Sequence, residues 1–179
     1  PPLTKEQVLH LSYYVLMHGV GVHSTRMLKR ALSDFSPHLV ALIADRLDNE
    51  SFKRDVQSKQ GLGYVPFDGH QSRLAHYFPH LYQTVKYIHT HTDPWERYEY
   101  VRTVRAQLSN HEQAFLLLNS LTPTGRMWWE SAFIVKYRLV KNLPQDFFDP
   151  FDELDTSTLF DPGYFEWEKG AASPNDTGA

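Results

Sequence analysis

The chain has 179 residues, a formal net charge of −3 and no cysteine. Its length fits one domain, or one domain with an extension, and the missing cysteine excludes disulfides, thiolate metal sites and a cysteine nucleophile. No apolar run approaches the roughly 20 residues that a membrane helix needs. The chain starts with Pro1-Pro2 and no methionine, so we expect that it was cut from a longer protein.

Charge is distributed unevenly along the chain. Residues 1–144 hold 17 Lys/Arg and 12 Asp/Glu, a net charge of +5, whereas residues 145–179 hold one Lys and nine acids, a net charge of −8. We predict a helical body over 1–144 and an acidic, aromatic tail over 145–179 that is partly docked and disordered from about 170. The tail either neutralises its own body, covers a basic site as a nucleic-acid mimic, or is an ordinary solvated extension.

Local signals predict the first helices. Thr4 begins a capping-box pattern, followed by apolar residues at helical spacing. Ser24 is predicted to cap a second helix, and Pro37 suits the first position of a third helix that runs to about Leu47. The polar residues 48–60 either extend this third helix or fray.

The middle of the chain contains a loop and an interrupted helix. Residues 61–69 (GLGYVPFDG) combine turn residues with large apolar ones, which predicts an ordered loop that packs down. The helical pattern from Gln71 to about His91 contains Pro79, and an interior proline removes a helical hydrogen bond. We therefore predict a kink there, or a helix that starts close to Phe78.

Three further helices follow. One is predicted from Trp95 to about Gln107. Ser109 with Glu112 forms a second capping box that begins the helix His111–Ser120. A last helix is expected from about Met127 to Lys141. The fold class is therefore all-α: a single bundle of six to seven helices with an irregular acidic, aromatic C-terminal extension.

Arg105 and His111 are the candidate catalytic pair. A six-residue spacing does not share one face of a helix, so the pair needs a corner at Ser109 to meet in one cleft. A guanidinium that holds phosphate beside an imidazole that moves a proton suits RNA cleavage without a metal. The spacing resembles the R-x(4–6)-H signature of HEPN ribonuclease domains, which usually have a polar residue where this chain has Ala106. Alternatively, Arg105 serves the fold and His111 lies exposed.

Other chemistry is less well supported by the sequence. His76 and His80 are spaced to share a metal, but a third ligand is missing, so no metal site is predicted. Trp95 to Tyr98 and Lys136 to Arg138 mix aromatic and basic residues, as nucleic-acid sites do; at helical spacing such aromatics are more often core. Phosphate loops, nucleotide fingerprints and hydrolase motifs are absent, so no cofactor is expected.

Several stretches resemble a known family. The sequence of the chain is similar to that of the phage abortive-infection family called AbiC-like in five segments: Leu11–Val22, His76–Ile88, Tyr100–Glu112, Leu117–Asn119 and Lys136–Leu143. The resemblance spans about residues 8–145 and omits the acidic tail. One departure is Pro79, where the family wording has arginine.

The resemblance implies a role in bacterial anti-phage defence and a cytoplasmic domain that membrane helices precede in full-length relatives. It carries over no established active site. The matched positions are candidate binding residues of unassigned role: Tyr77, Tyr82, Arg105, Glu112 and Asn119. Ser109, Leu81 and Leu108 also match, but capping and core packing explain them.

Three functional hypotheses remain open. The first is a sensing or effector-docking domain without catalytic activity, whose partner is a protein or a phage component. A homodimer is a further option, and direct nucleic-acid binding is not favoured. The second hypothesis is a HEPN-like ribonuclease that uses Arg105 and His111. The third is an immunity-type protein inhibitor that acts through its acidic tail.

Overall fold

The computed structural model describes residues 2–21, 24–145, 147–148 and 154–169. Within these ranges the chain is helical and contains no strand, which confirms the all-α class. The chain divides into two compact units, residues 1–77 and residues 78–179, here called the N-terminal and C-terminal units. The predicted boundary at residue 144 stays a prediction, and the disorder expected from about 170 lies outside the described residues.

Helices in the N-terminal unit begin where local signals place them. The helices are α1 (Lys5–His18), α2 (Thr25–Ala31), α3 (Pro37–Asp48), α4 (Glu50–Lys59) and α5 (Gln71–Leu74). Both hydrogen bonds of the predicted capping box at Thr4 are present, and Pro37 is the first residue of α3. Because the proline ring needs no donor in the first turn, α3 begins there without loss.

Two helix starts differ from the prediction. The Ser24 side chain makes no capping bond; instead the Thr25 hydroxyl donates to the carbonyls of Val20 and Gly21 at 3.0 and 2.9 Å. After Asp48, the last residue of α3, the segment to Gln60 does not extend that helix. Asn49 is extended and its side chain accepts from the Phe52 amide at 3.0 Å, so it caps a separate helix, α4.

Loop 61–69 packs down through backbone contact, as predicted. The Val20 amide donates to the Phe67 carbonyl at 3.0 Å. Gly19 and Gly69 have φ values of 74° and 84°, and a Cβ atom on either would lie within 2.5–2.6 Å of backbone carbon of the other segment. Only glycine permits this approach at both positions.

The C-terminal unit contains α6 (Tyr77–His91), α7 (Arg97–Arg105), α8 (Asn110–Ser120), α9 (Met127–Glu130) and α10 (Phe133–Lys136). Pro79 is the third residue of α6, where its missing N–H costs no helical bond. The helical pattern from Gln71 therefore breaks between α5 and α6, which confirms the expected interruption near Phe78.

The prediction of one helix from Met127 to Lys141 is wrong. Ala132 adopts a left-handed conformation (φ 56°) between α9 and α10, and Arg138 does so (φ 50°) after α10. Nine residues at about 100° each would place Trp128 and Tyr137 on opposite sides of a straight helix. Both side chains are buried, and the breaks allow this. They also raise the number of helices above the six or seven predicted.

The described part of the C-terminal extension packs within its unit. Phe160, Tyr164 and Phe165 are buried, and the Tyr164 hydroxyl donates to the Ile134 carbonyl at 2.7 Å. The Arg138 Nε donates to the Tyr164 carbonyl at 2.9 Å. These residues therefore contribute to the core of the C-terminal unit.

A buried lysine joins three segments of the N-terminal unit. Lys53 is 5% exposed, and its Nζ lies 2.9 Å from Asp48, 3.6 Å from Glu50 and 3.5 Å from Asp68. The hydrogen bond to Asp48 raises the pKa of the Lys53 ammonium above its usual value against the effect of burial. The ion pairs connect the end of α3 and the start of α4 to loop 61–69.

Replacement of Lys53 by methionine tests this junction. We expect Lys53→Met to lower the free energy of unfolding by about 2 kcal/mol, because three carboxylates then lose their shared cation. The matched control is Lys59→Met on the same helix. Lys59 pairs with Asp55 at 2.8 Å, but its side chain is 70% exposed, so the loss should stay below about 1 kcal/mol. Equal losses in urea titrations would contradict the junction.

Candidate functional site

Arg105 is the most constrained of the predicted site residues. It ends α7 and is 3% exposed. Its Nη1 donates to the carbonyl oxygens of Tyr137 at 2.9 Å and Arg138 at 3.2 Å. Carbonyls that follow a helix end lack helical donors, and the guanidinium supplies one. The geometry therefore favours the structural interpretation of Arg105 over phosphate binding.

His111 differs from Arg105 in its access to solvent. It lies in the first turn of α8 and is exposed, with its ring edge-on to Phe147 at a centroid distance of 5.3 Å. The imidazole faces solvent, whereas the buried guanidinium cannot reach a bound phosphate without releasing backbone carbonyls. The ribonuclease assignment of this pair stays an untested prediction.

The corner at Ser109 has the predicted capping box. The Glu112 carboxylate accepts from the amide and the hydroxyl of Ser109, each at 2.8 Å, while the Ser109 hydroxyl accepts from the Glu112 amide at 3.3 Å. This exchange starts α8 after the turn that follows the end of α7 at Arg105. The bonds of Glu112 thus explain its presence without a ligand.

Tyr82 and Asn119 also lie in structural environments. Tyr82 is half-buried, and its ring packs edge-on against Trp128 at 5.0 Å. Asn119 is buried, and its carbonyl accepts from the Thr122 hydroxyl at 2.7 Å. A Cβ atom at Gly125 would lie 2.6 Å from the Asn119 side-chain oxygen, so the turn after α8 requires glycine there. Tyr77, the last candidate, is half-buried at the start of α6.

His76 and His80, which are spaced to share a metal, do not belong to a metal-binding cluster among the described residues. His76 is exposed ahead of α6 and His80 is exposed within it. Among the described residues, no group of three or more His, Cys, Asp or Glu side chains could hold a metal ion.

Exposed rings in the last turns of α6 and in the segment that follows it were missed by sequence reasoning. Tyr87 is 63% exposed and stacks on His91 at 4.2 Å with an interplanar angle of 14°. Trp95 precedes α7 and is 76% exposed, so the expectation that its ring is core is wrong. The i, i+4 spacing of Tyr87 and His91 on the polar side of α6 was the available signal. We call Tyr87, His91 and Trp95 the aromatic end.

His89 is a titratable group within the C-terminal unit. It is half-buried, and its Nδ1 lies 2.6 Å from the Tyr137 hydroxyl. Burial lowers the pKa of the His89 imidazole, and the charges of Lys136 and Arg97 lower it further. Burial raises the pKa of the Tyr137 hydroxyl. The pair is therefore neutral in the folded chain near pH 7.

Arg105→Met tests the structural role of the guanidinium. The Tyr137 carbonyl loses its donor and the Arg138 carbonyl keeps only that of the Lys141 amide, so we expect a loss of about 2–4 kcal/mol in the free energy of unfolding. Arg102→Met on the same helix is the control. Arg102 pairs with Glu99 at 2.7 Å, but both side chains are more than half exposed, so its loss should be below about 1 kcal/mol. A stable Arg105→Met protein would contradict the assignment.

Acid should destabilise the C-terminal unit through His89. Because its pKa is lower in the folded than in the unfolded chain, the unfolded chain binds the proton first as pH falls through about 6.5. We expect the free energy of unfolding to fall below that pH, and His89→Gln to remove this part of the dependence. His91→Gln, at an exposed position, should leave it unchanged. Identical pH profiles for wild type and His89→Gln would refute the effect.

Comparison with known proteins identifies one family. The family model described as putative phage abortive infection protein matches residues 69–148, a shorter range than the predicted 8–145, and it includes the aromatic end. No curated protein and no solved structure matches this chain significantly. Within the described part of the chain, no helix is both long and apolar enough to cross a bilayer. The resemblance to the phage abortive-infection family is thus confirmed over residues 69–148.

Proposed function

We propose that this chain is a sensing or effector-docking domain of a bacterial abortive-infection system and acts by binding a partner in the cytoplasm. The family match over residues 69–148 supports the defence role. The observation that carries the binding role is the exposure of the Tyr87 and Trp95 rings, at 63% and 76%. The placement of Arg105, whose buried guanidinium donates to two backbone carbonyls, weighs against the ribonuclease alternative. The residue best suited to hold a phosphate is thereby part of the scaffold.

The aromatic end is the surface that we assign to the partner. Exposed Trp and Tyr rings are the residue types that dominate the binding energy of protein interfaces. Trp95 and Tyr87 lie in the matched range and expose most of their area. Their sequence neighbours Lys86, Asp93 and Glu96 are exposed and of both signs. Such a mixed rim suits a protein better than the phosphates of nucleic acid, which require a basic surface.

Removal of the two rings tests this assignment. We expect the double variant Tyr87→Ser/Trp95→Ser of the full-length protein to lose protection against the phages that the wild type restricts. Loss of one interface hot spot costs about 2 kcal/mol, or roughly thirtyfold in partner affinity. The measurement is the efficiency of plating at equal protein level. The control is Leu42→Ser, which removes a 60% exposed apolar side chain from α3.

A second variant separates binding from catalysis. His111→Ala removes the exposed imidazole that the ribonuclease hypothesis needs and should leave protection intact. The enzymatic hypothesis would replace the docking proposal under the opposite set of results. Protection would then survive in Tyr87→Ser/Trp95→Ser and be lost in His111→Ala, and the wild type would cleave RNA while His111→Ala would not.

A further inference from the structure

The N-terminal unit contains an open cavity of about 480 Å³ between α1, α3, α4 and loop 61–69. Its walls are mainly the aliphatic side chains of Leu11, Val15, Ile43, Leu47 and Val56. Protein interiors are packed to the density of organic crystals, with few voids larger than a water molecule. A space of this size lies within the range of about 300–1,000 Å³ that is typical of small-molecule sites.

Among the described residues, those that line the cavity include no Asp, Glu, Lys or Arg side chain. Its polar side chains are Ser12, Tyr64 and His70, and the rings of Tyr64 and His70 meet edge-on at 6.0 Å. A charged ligand would lose its hydration there without gaining a counter-ion. A neutral ligand loses little, and its one polar group can bond to the hydroxyl or imidazole at this end.

One wall of the cavity is a residue in an unusual backbone conformation. Phe67 lines it with a φ of 68°, a conformation that bulky residues rarely adopt. Its ring stacks on Phe52 at 6.2 Å with an interplanar angle of 12°, and its carbonyl accepts from the Val20 amide at 3.0 Å. Backbone strain of this kind persists where the surroundings fix it, and it concentrates at ligand sites.

We propose that this cavity binds a neutral small molecule with an aliphatic chain and one polar end, the polar end lying at Tyr64 and His70. The aliphatic walls offer few hydrogen-bond partners to water, so transfer of an aliphatic chain from solvent into the cavity is favourable. Among its lining residues only Gly69 and His70 fall within the family match of residues 69–148. The proposal therefore does not depend on the assignment of the aromatic end to a partner.

The test uses the neutral fluorescent probe N-phenyl-1-naphthylamine with the purified full chain. We expect saturable binding at one site, displaced by 1-decanol and at least about tenfold less effectively by decanoate. Leu47→Trp, which fills the cavity from α3, should weaken probe binding about tenfold or more. Leu16→Trp, at a 37% exposed lining position on α1, should do the same where Leu47→Trp proves unstable.

Leu42→Trp is the matched control, because Leu42 is 60% exposed on α3 and does not line the cavity. It should bind the probe as the wild type does. Absence of saturable binding, or equal affinity in all variants, would overturn the proposal, and so would displacement by decanoate as readily as by decanol. The proposal would also be overturned if the wild type bound no probe but formed a dimer that dissociates in Leu47→Trp. The cavity would then be part of an interface between two copies of the chain.

Discussion

Arg105 donates to the carbonyl oxygens of Tyr137 and Arg138 just where the backbone leaves α10. Buried carbonyls that lose their helical donors must be paired by another group, and here a side chain 32 residues away in sequence provides it. Arg138 then adopts its left-handed conformation and directs its own guanidinium to the Gly163 and Tyr164 carbonyls. Two arginines thus connect α7, the turn after α10 and the C-terminal extension.

The described part of the acidic tail contributes to the packing of the C-terminal unit. Tyr164 inserts between backbone groups of α10 and the following turn, and Phe160 packs against Trp129 at 5.4 Å. Glu166 pairs with Lys141 at 3.5 Å. These contacts support the interpretation that the tail neutralises its own body. They weigh against the inhibitor hypothesis, since deletion of the tail would uncover apolar surface and leave Arg138 without its carbonyls.

Sequence reasoning succeeded where the determinants are local. The capping boxes at Thr4 and Ser109 and the proline at the start of α3 act within one turn, so their residues are adjacent in sequence. The break at Ala132 is different. Alanine favours helix, and the conformation is imposed by burial of Trp128 and Tyr137 on opposite sides of the expected helix. The burial of Arg105 likewise depends on carbonyls that no local pattern specifies.

The candidate site residues fall into two groups: those that the fold explains and those that it does not. Arg105 and Glu112 form side-chain hydrogen bonds within the C-terminal unit, and Asn119 is buried there. The fold therefore accounts for all three residues. Trp95 is not accounted for in this way. Its ring is 76% exposed, so it contributes little buried apolar area to the fold. The docking proposal gives this ring a role, because exposed Trp rings supply much of the binding energy where proteins meet.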